Sequence, residues 1–320
     1  MTEQAVRAGE AAATVDGALR SRSRGRSLAR QQRLWGWIFL SPWIFGFFAF
    51  TFFPMAASLF FSFTDYKIGE SPHWSGLKNW GNLFKDPLTY QSLRITLRFG
   101  AMMLPVAILF PLLLASLLNS KYLAGKRVLR VLFYMPYMVP AISVAFIWQS
   151  FLNGETGLFN RVLKVFGYAN PPDWLFDPKW IHPAMVVVGL WGVGNAMLTM
   201  LAGMQGVPTE LYEAATVDGA GPIRRFIKIT IPMISPVILY NLVLSVIGLM
   251  QYFVLPYVLS AASRTNPDTN FINLHLYREA FTYFNMGYAS AIAWFLFAVA
   301  LGLTLLVLGS ARRWVYYSGG

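Results

Sequence analysis

Apolar residues in this chain run in long stretches free of Asp, Glu, Lys and Arg, separated by short polar segments. Six stretches are long enough to cross about 30 Å of hydrocarbon, which takes roughly 20 helical residues. They are Leu34–Thr64, Phe99–Ser120, Val131–Gly154, Trp180–Thr209, Ile229–Ser263 and Ala280–Ala311. The longer ones include interfacial ends. Trp35, Trp37, Trp148, Trp180 and Trp314 fall near the span ends, where an amphipathic ring sits best. The short alternating segments of an outer-membrane barrel are absent. The pattern predicts an all-α, polytopic membrane protein with six transmembrane helices across residues 34–312. Residues 1–33 form a cytoplasmic tail and 313–320 a short cytoplasmic C-terminus.

Composition agrees with the pattern. Hydrophobic residues make up 56% of the 320 and charged residues only 12%, against about 25% charged in soluble domains. Lys and Arg outnumber Asp and Glu by 26 to 14. In so apolar a chain that balance points to an anionic lipid surface rather than nucleic acid. There is no cysteine, and the three histidines, His73, His182 and His275, lie in separate regions. Disulfides, thiolate sites and a histidine metal cage are therefore not expected.

Basic residues between spans set the orientation. Seven lie in the tail, joined on the same side by Lys121, Lys126, Arg127, Arg130, Arg224, Arg225, Lys228, Arg312 and Arg313. That side carries 16 and the other 10, which places both termini in the cytoplasm. The tail is rich in Ala, Arg, Ser and Gly without apolar periodicity. It is expected to be a disordered arm against anionic headgroups, not a cleaved signal peptide.

No acid or base other than His182 lies in the spans, which argues against direct proton coupling. No phosphate-binding glycine loop is present, so energy for uphill transport must come from another subunit. The spans are interrupted by Pro42, Pro54, Pro105, Pro111, Pro136, Pro140, Pro236 and Pro256. Such breaks often line cavities, and they also occur as plain kinks. In Gly189-Leu190-Trp191-Gly192-Val193-Gly194-Asn195, a continuous helix would project Trp191 and Asn195 from one face. An aromatic ring beside an amide suits a sugar; ordinary packing accounts for the same residues.

The segment between spans four and five, residues 207–232, carries the strongest signal. Thr209 is placed to cap a short helix, Glu210 and Glu213 suit its N-terminal end, and Gly219 ends it. Pro222 then opens an amphipathic helix with Arg224, Arg225 and Lys228 on its polar side, expected to lie along the inner membrane surface. The small Ala214 and Ala215 beside exposed acids make a knob that another protein can approach, though a plain surface hairpin has the same features.

Glu213-Ala214-Ala215, Gly219, Ile229 and Ile231-Pro232 at this spacing resemble the EAA motif of binding-protein-dependent ABC importer permeases, with Ile231 where the family prefers Leu. The resemblance spans residues 35–312 and is nearest to the MalF-like sugar permeases. It is supported by Leu40-Ser41-Pro42, Ser62-Phe63-Thr64-Asp65-Tyr66, Gly76-Leu77-Lys78-Asn79-Trp80, Tyr277-Arg278-Glu279-Ala280-Phe281 and Gly287-Tyr288-Ala289-Ser290-Ala291. It implies the ABC type I importer permease fold and no enzymatic activity in this chain. It implies as partners a second permease subunit in a heterodimer, two copies of a cytoplasmic ATPase that bind ATP and Mg, and an extracytoplasmic solute-binding protein. No cofactor is implied for this chain itself.

By the same resemblance Glu213, Ala214, Ala215, Asp218 and Gly219 form the element that docks on the ATPase. Substrate contacts would fall on Trp191, Gly192, Asn195, Ser245, Gly248, Leu249 and Tyr252, with Gln251 an adjacent candidate. Departures from the maltose permease at Asn195, Leu249 and Tyr252 leave the sugar unnamed. The alternative substrate is a non-sugar solute such as glycerol phosphate.

Overall fold

A computed structural model describes residues 31–260 and 266–317. Most of the tail, the end of the fifth predicted span at Ser263, and residues 318–320 lie outside the described residues. The chain divides into two compact units, residues 1–60 and 61–320. The described part of the first unit is one helix, α1 (Gln31–Phe61), which runs to the boundary and is long and apolar enough to cross a membrane. It widens to a π-turn at Phe48–Phe52, two residues before Pro54. Pro54 has no N–H to donate, and its ring would crowd the carbonyl of Phe50; a wider turn relieves both.

In the second unit a short α2 (Lys78–Leu83) leads to α3 (Pro87–Asn119), capped by the Asp86 carboxylate, which accepts from Leu88 N–H. α3 starts well before the predicted Phe99, so Arg94 and Arg98 lie in its N-terminal half. Two predicted spans are not single helices. Val131–Gly154 divides into α4 (Lys126–Tyr134), a 3₁₀ turn Met135–Met138, and α5 (Ala141–Phe151), bent by 100°. Pro140 supplies the reason: it forces Val139 into an extended conformation and lacks the donor to continue the helix. Trp180–Thr209 divides into α7 (Ile181–Trp191) and α8 (Gly194–Gln205), bent by 55° and preceded by α6 (Leu158–Val165) in the loop between spans three and four. With α1, α3, α11 and α12 together, and α14, each bent pair taken as one span gives six.

α9 (Thr209–Val217) and α10 (Pro222–Arg225) form the loop between spans four and five. α10 passes through a π-turn at Phe226–Thr230, again two residues before a proline, Pro232. α11 (Ser235–Met250) loses helical form at residues 251–253 and resumes as α12 (Val254–Ser260). α13 (Ile272–Tyr277) runs into a π-turn at Arg278–Thr282, and α14 (Met286–Ala311) is the last span, starting six residues after the predicted Ala280.

Three buried clusters hold this unit together. The one nearest the α9–α10 loop joins α3 to α8 through Leu112, Ala115, Leu118, Met197, Met200 and Met204. At the opposite end Ile95, Phe99, Trp148, Ile181, Met185 and Phe271 join α3, α5 and α7, while Leu83, Ile272 and Ile292 seat α14. Removing this apolar surface from polar contacts with water is not the driving force inside lipid; close packing and internal polar bonds are.

The opposite end is tied by such bonds. Asn79 Nδ2 donates to the carbonyls of Ser62 and Thr64 at 3.1 and 2.7 Å, and Gly287 N–H donates to Tyr66 O at 2.9 Å. A Cβ on Gly287 would overlap the Thr64 carbonyl. Three of the sequence stretches singled out above thus meet in one knot. Beside it Asp86 Oδ2 accepts from Thr89 and Tyr288 hydroxyls, each at 2.8 Å, with His275 Nε2 3.4 Å away. Burial opposes ionisation of Asp86, but the hydrogen bonds from Tyr288, Thr89 and Leu88 N–H and the charge of His275 outweigh it and hold the carboxyl below its ordinary value.

Two outcomes are expected. Gly287→Ala should destabilise the unit by ~1–3 kcal/mol through backbone displacement, read as a lower midpoint in thermal unfolding of the detergent-purified chain. Because the Asp86 pKa is depressed by folding, its stabilising contribution is present above the ordinary value of 3.8 and lost as pH falls through the folded value. Wild type should therefore lose stability on acidification relative to Asp86→Asn, and parallel pH profiles for the two would contradict the assignment.

Candidate translocation cavity and coupling loop

The three interruptions in the helices face one space. A cavity of about 390 Å³ is lined by Pro136, Tyr137, Val139 and Ala141 from the α4–α5 break, Gly189, Trp191 and Gly192 from the α7–α8 break, and Gly248, Gln251, Tyr252 and Phe253 from the α11–α12 break. Its size falls in the ~300–1,000 Å³ range of small-molecule sites. Gly194 sets how closely two of the breaks approach: a Cβ there would lie 2.5 Å from Phe133 O and 2.7 Å from Tyr134 Cα. Any larger residue would push α8 away from the end of α4.

Rings and amides define the lining. Trp191 meets Trp148 edge to face at 6.1 Å. Tyr252 stacks on Phe99 at 5.0 Å and meets Phe271 at 5.4 Å. Gln251 is exposed beside them, and its backbone carbonyl accepts from Asn273 Nδ2 at 3.2 Å. Such a wall offers flat apolar faces with a few hydrogen-bonding groups.

Of the eight positions selected from sequence, Trp191, Gly192, Gly248, Gln251 and Tyr252 line this cavity. Leu249 is buried and borders a separate apolar cleft with Leu97, Gly100 and Ala101. Ser245 is half-buried one turn earlier on α11, and Asn195 is exposed on α8; neither lines the cavity. The shared face expected for Trp191 and Asn195 does not exist, because the bend at Gly192-Val193 lies between them. The α4–α5 residues were missed. Their signal was present in Pro136 and Pro140, but a proline marks a break without saying where it faces.

The α9–α10 loop has the helix order and the glycine turn expected from its residues. Gly219 adopts φ +75°, the left-handed conformation that glycine takes without steric cost. Ala220 N–H donates to Ala215 O at 2.8 Å and Gly219 N–H to Thr216 O at 3.0 Å, a Schellman ending for α9. Pro222 opens α10 as expected. The cap differs: Pro208 holds the N-cap position without a side-chain bond, and Thr209 is the first helical residue. Glu213, Ala214, Asp218 and Gly219 are exposed and Ala215 is half-buried.

Two side-chain ties were not visible in the sequence. Tyr212 OH lies 2.9 Å from Thr230 Oγ1, and Arg225 Nη1 donates to Thr216 Oγ1 at 2.7 Å, which itself donates to Tyr212 O. They bind α9 to α10, so the exposed face of α9 is carried on a rigid hairpin.

Residues 107–317 match the family described as the binding-protein-dependent transport system inner membrane component. The chain belongs to this family. It is 36% identical over 297 residues to the probable ABC transporter permease protein YesP of Bacillus subtilis, covering 92% of this chain and 95% of that one. It is 33% identical over 287 residues to the arabinooligosaccharides transport system permease protein AraP of the same organism, covering 88% and 90%. Among solved structures it resembles a chain of a bacterial ABC transporter involved in the import of the acidic polysaccharide alginate, with TM-score 0.79, 25% identity, and coverage of 88% and 96%. The protein is thus a multi-pass permease component of an ABC importer with the type I fold.

Gly219→Ala should cost about 1 kcal/mol by forcing a side chain into a left-handed turn. Hydrogen exchange of the Ala215–Ala220 amides should accelerate in that variant while the amides of α3 stay protected. Unchanged exchange would show that the turn does not depend on glycine.

Proposed function

We propose that this permease conducts a neutral carbohydrate, mono- or oligosaccharide, through the cavity at the three helix breaks. The observation that carries the reading is the lining itself: the Trp191 and Tyr252 rings and the Gln251 amide converge where three spans lose helical form. Sugar rings present apolar C–H faces to aromatic side chains and hydroxyls to amides. The relative named for arabinooligosaccharide transport supports the same class. A phosphate ester such as glycerol phosphate would call for a cation, and no Lys or Arg lines this cavity among the described residues.

In this reading the chain forms half of the pathway with a second permease subunit. A solute-binding protein delivers the sugar to the outer face, and two cytoplasmic ATPase subunits bind ATP and Mg. Both termini of this chain face the cytoplasm, and it catalyses no reaction. Glu213, Ala214, Ala215, Asp218 and Gly219 form the surface of α9 that the ATPase grips.

Force applied to α9 has two routes to the cavity. α8 leads directly from α9 back to the Gly192 wall. The Tyr212–Thr230 and Thr216–Arg225 ties lead to α10 and α11, whose far end carries Gly248 and Gln251. Closure of the ATPase pair would therefore move two walls of the cavity together.

The test begins with purification of the chain from its native membrane in mild detergent, followed by mass spectrometry and reconstitution. An ATPase and a second permease should accompany it, and labelled saccharide should enter proteoliposomes with ATP. Trp191→Ala and Tyr252→Ala should lower uptake about tenfold, equivalent to ~1.4 kcal/mol, without loss of assembly. Glu213→Ala should abolish uptake while membrane insertion persists. Normal uptake in the first two variants removes the cavity assignment, and normal uptake in the third removes the coupling role.

A further inference from the structure

From the cavity edge a row of aromatic rings continues outward along α12 and α13. Phe253, which lines the cavity, stacks on Tyr257 at 5.2 Å and meets Tyr277 at 5.1 Å. Tyr257 and Tyr277 meet edge to face at 5.3 Å, and Tyr277 contacts Phe281 at 5.0 Å. The row is open to its surroundings: Tyr257 is 38% and Phe281 53% exposed, with Phe253 and Tyr277 half-buried. Asn273, one turn before Tyr277 on α13, ties the row to the cavity by donating from Nδ2 to the Gln251 backbone carbonyl at 3.2 Å.

This surface differs from the exposed C-terminal half of α14, whose large exposed side chains are Leu301, Leu305, Leu306 and Leu308, as contact with lipid tails favours. The row instead combines ring faces with two phenol hydroxyls and an amide, the mixture already seen in the cavity. Successive rings spaced by about 5 Å let a flat ligand move from one face to the next without losing all of its contact. Phe253 belongs to both the row and the cavity, so the two form one continuous surface.

We infer that Phe253, Tyr257, Tyr277 and Phe281 form an entry track that stacks the sugar rings of a saccharide and guides it from the outer face into the cavity. The inference rests on the carbohydrate reading above. It adds that the chain binds more than one sugar unit at a time, with the leading unit at Trp191 and Tyr252 and trailing units on the track. Saccharides of three units depend on the track more than single sugars do.

The experiment uses the complete transporter, with its co-purified partners and binding protein, in proteoliposomes supplied with ATP. Uptake of a labelled panel of mono-, di- and trisaccharides is compared between wild type, Tyr277→Ala, Phe281→Ala and Tyr277→Phe. Each alanine variant should slow trisaccharide uptake about fivefold, the size expected for one lost stacking contact, and slow the monosaccharide much less. Tyr277→Phe should restore the wild-type rate, because the ring and not the hydroxyl supplies the contact. If Tyr277→Ala does not assemble, the exposed Phe281→Ala carries the measurement. Wild-type uptake of a saccharide with no loss in the alanine variants overturns the track and leaves the carbohydrate reading standing. An equal loss at every chain length, or failure of both alanine variants to assemble, makes the row a structural contact and also overturns it. Uptake of no saccharide by wild type overturns both.

Discussion

A backbone amide inside hydrocarbon has no water to turn to, so each interruption of a helix must be shielded by protein or must face a polar cavity. The architecture of this permease follows from that constraint. Its chain leaves helical form at Val139-Pro140, at Gly192-Val193 and at residues 251–253. All three places border the same cavity, and the N–H groups of Val139, Gly192 and Gln251 find carbonyl partners within the chain. The cavity is built from defects that would be costly anywhere else on the bundle.

The breaks are held in place by contacts distant in sequence. Gly194 lets α8 approach the last turn of α4 so closely that their backbones touch. The clusters around Phe99 and around Met200 fix α3 against both halves of the bent fourth span. At the end away from the α9–α10 loop the Asn79, Tyr66 and Gly287 knot secures the start of α14. In the proposed cycle the stapled α9–α10 hairpin transmits motion because its own ties are internal to it.

The two π-turns before Pro54 and Pro232 illustrate a milder answer to the same constraint. A proline removes one hydrogen bond and crowds the preceding turn, and a wider turn absorbs both effects without a change of direction. Pro140 follows an extended residue and bends the chain by 100°. The same residue type thus produces a gentle widening or a sharp corner according to the packing around it.

Much was legible in the residues alone. Six apolar stretches announced the spans, because crossing hydrocarbon demands length and apolarity, and both are sums over neighbouring residues. Gly219 announced the turn that ends α9, because a left-handed helix ending favours glycine at one position, and the structure places φ +75° there. Five of eight positions selected for the substrate site line one cavity. What the sequence could not carry was direction. Hydropathy does not record whether a span bends, so Trp191 and Asn195 were placed on one face that the 55° bend divides. Nor did local pattern reveal that Tyr212 meets Thr230, that Asn79 holds Ser62 and Thr64, or that Pro136 and Val139 join Trp191 at the cavity wall. Those juxtapositions depend on how helices far apart in sequence pack against one another, and only the tertiary structure decides that.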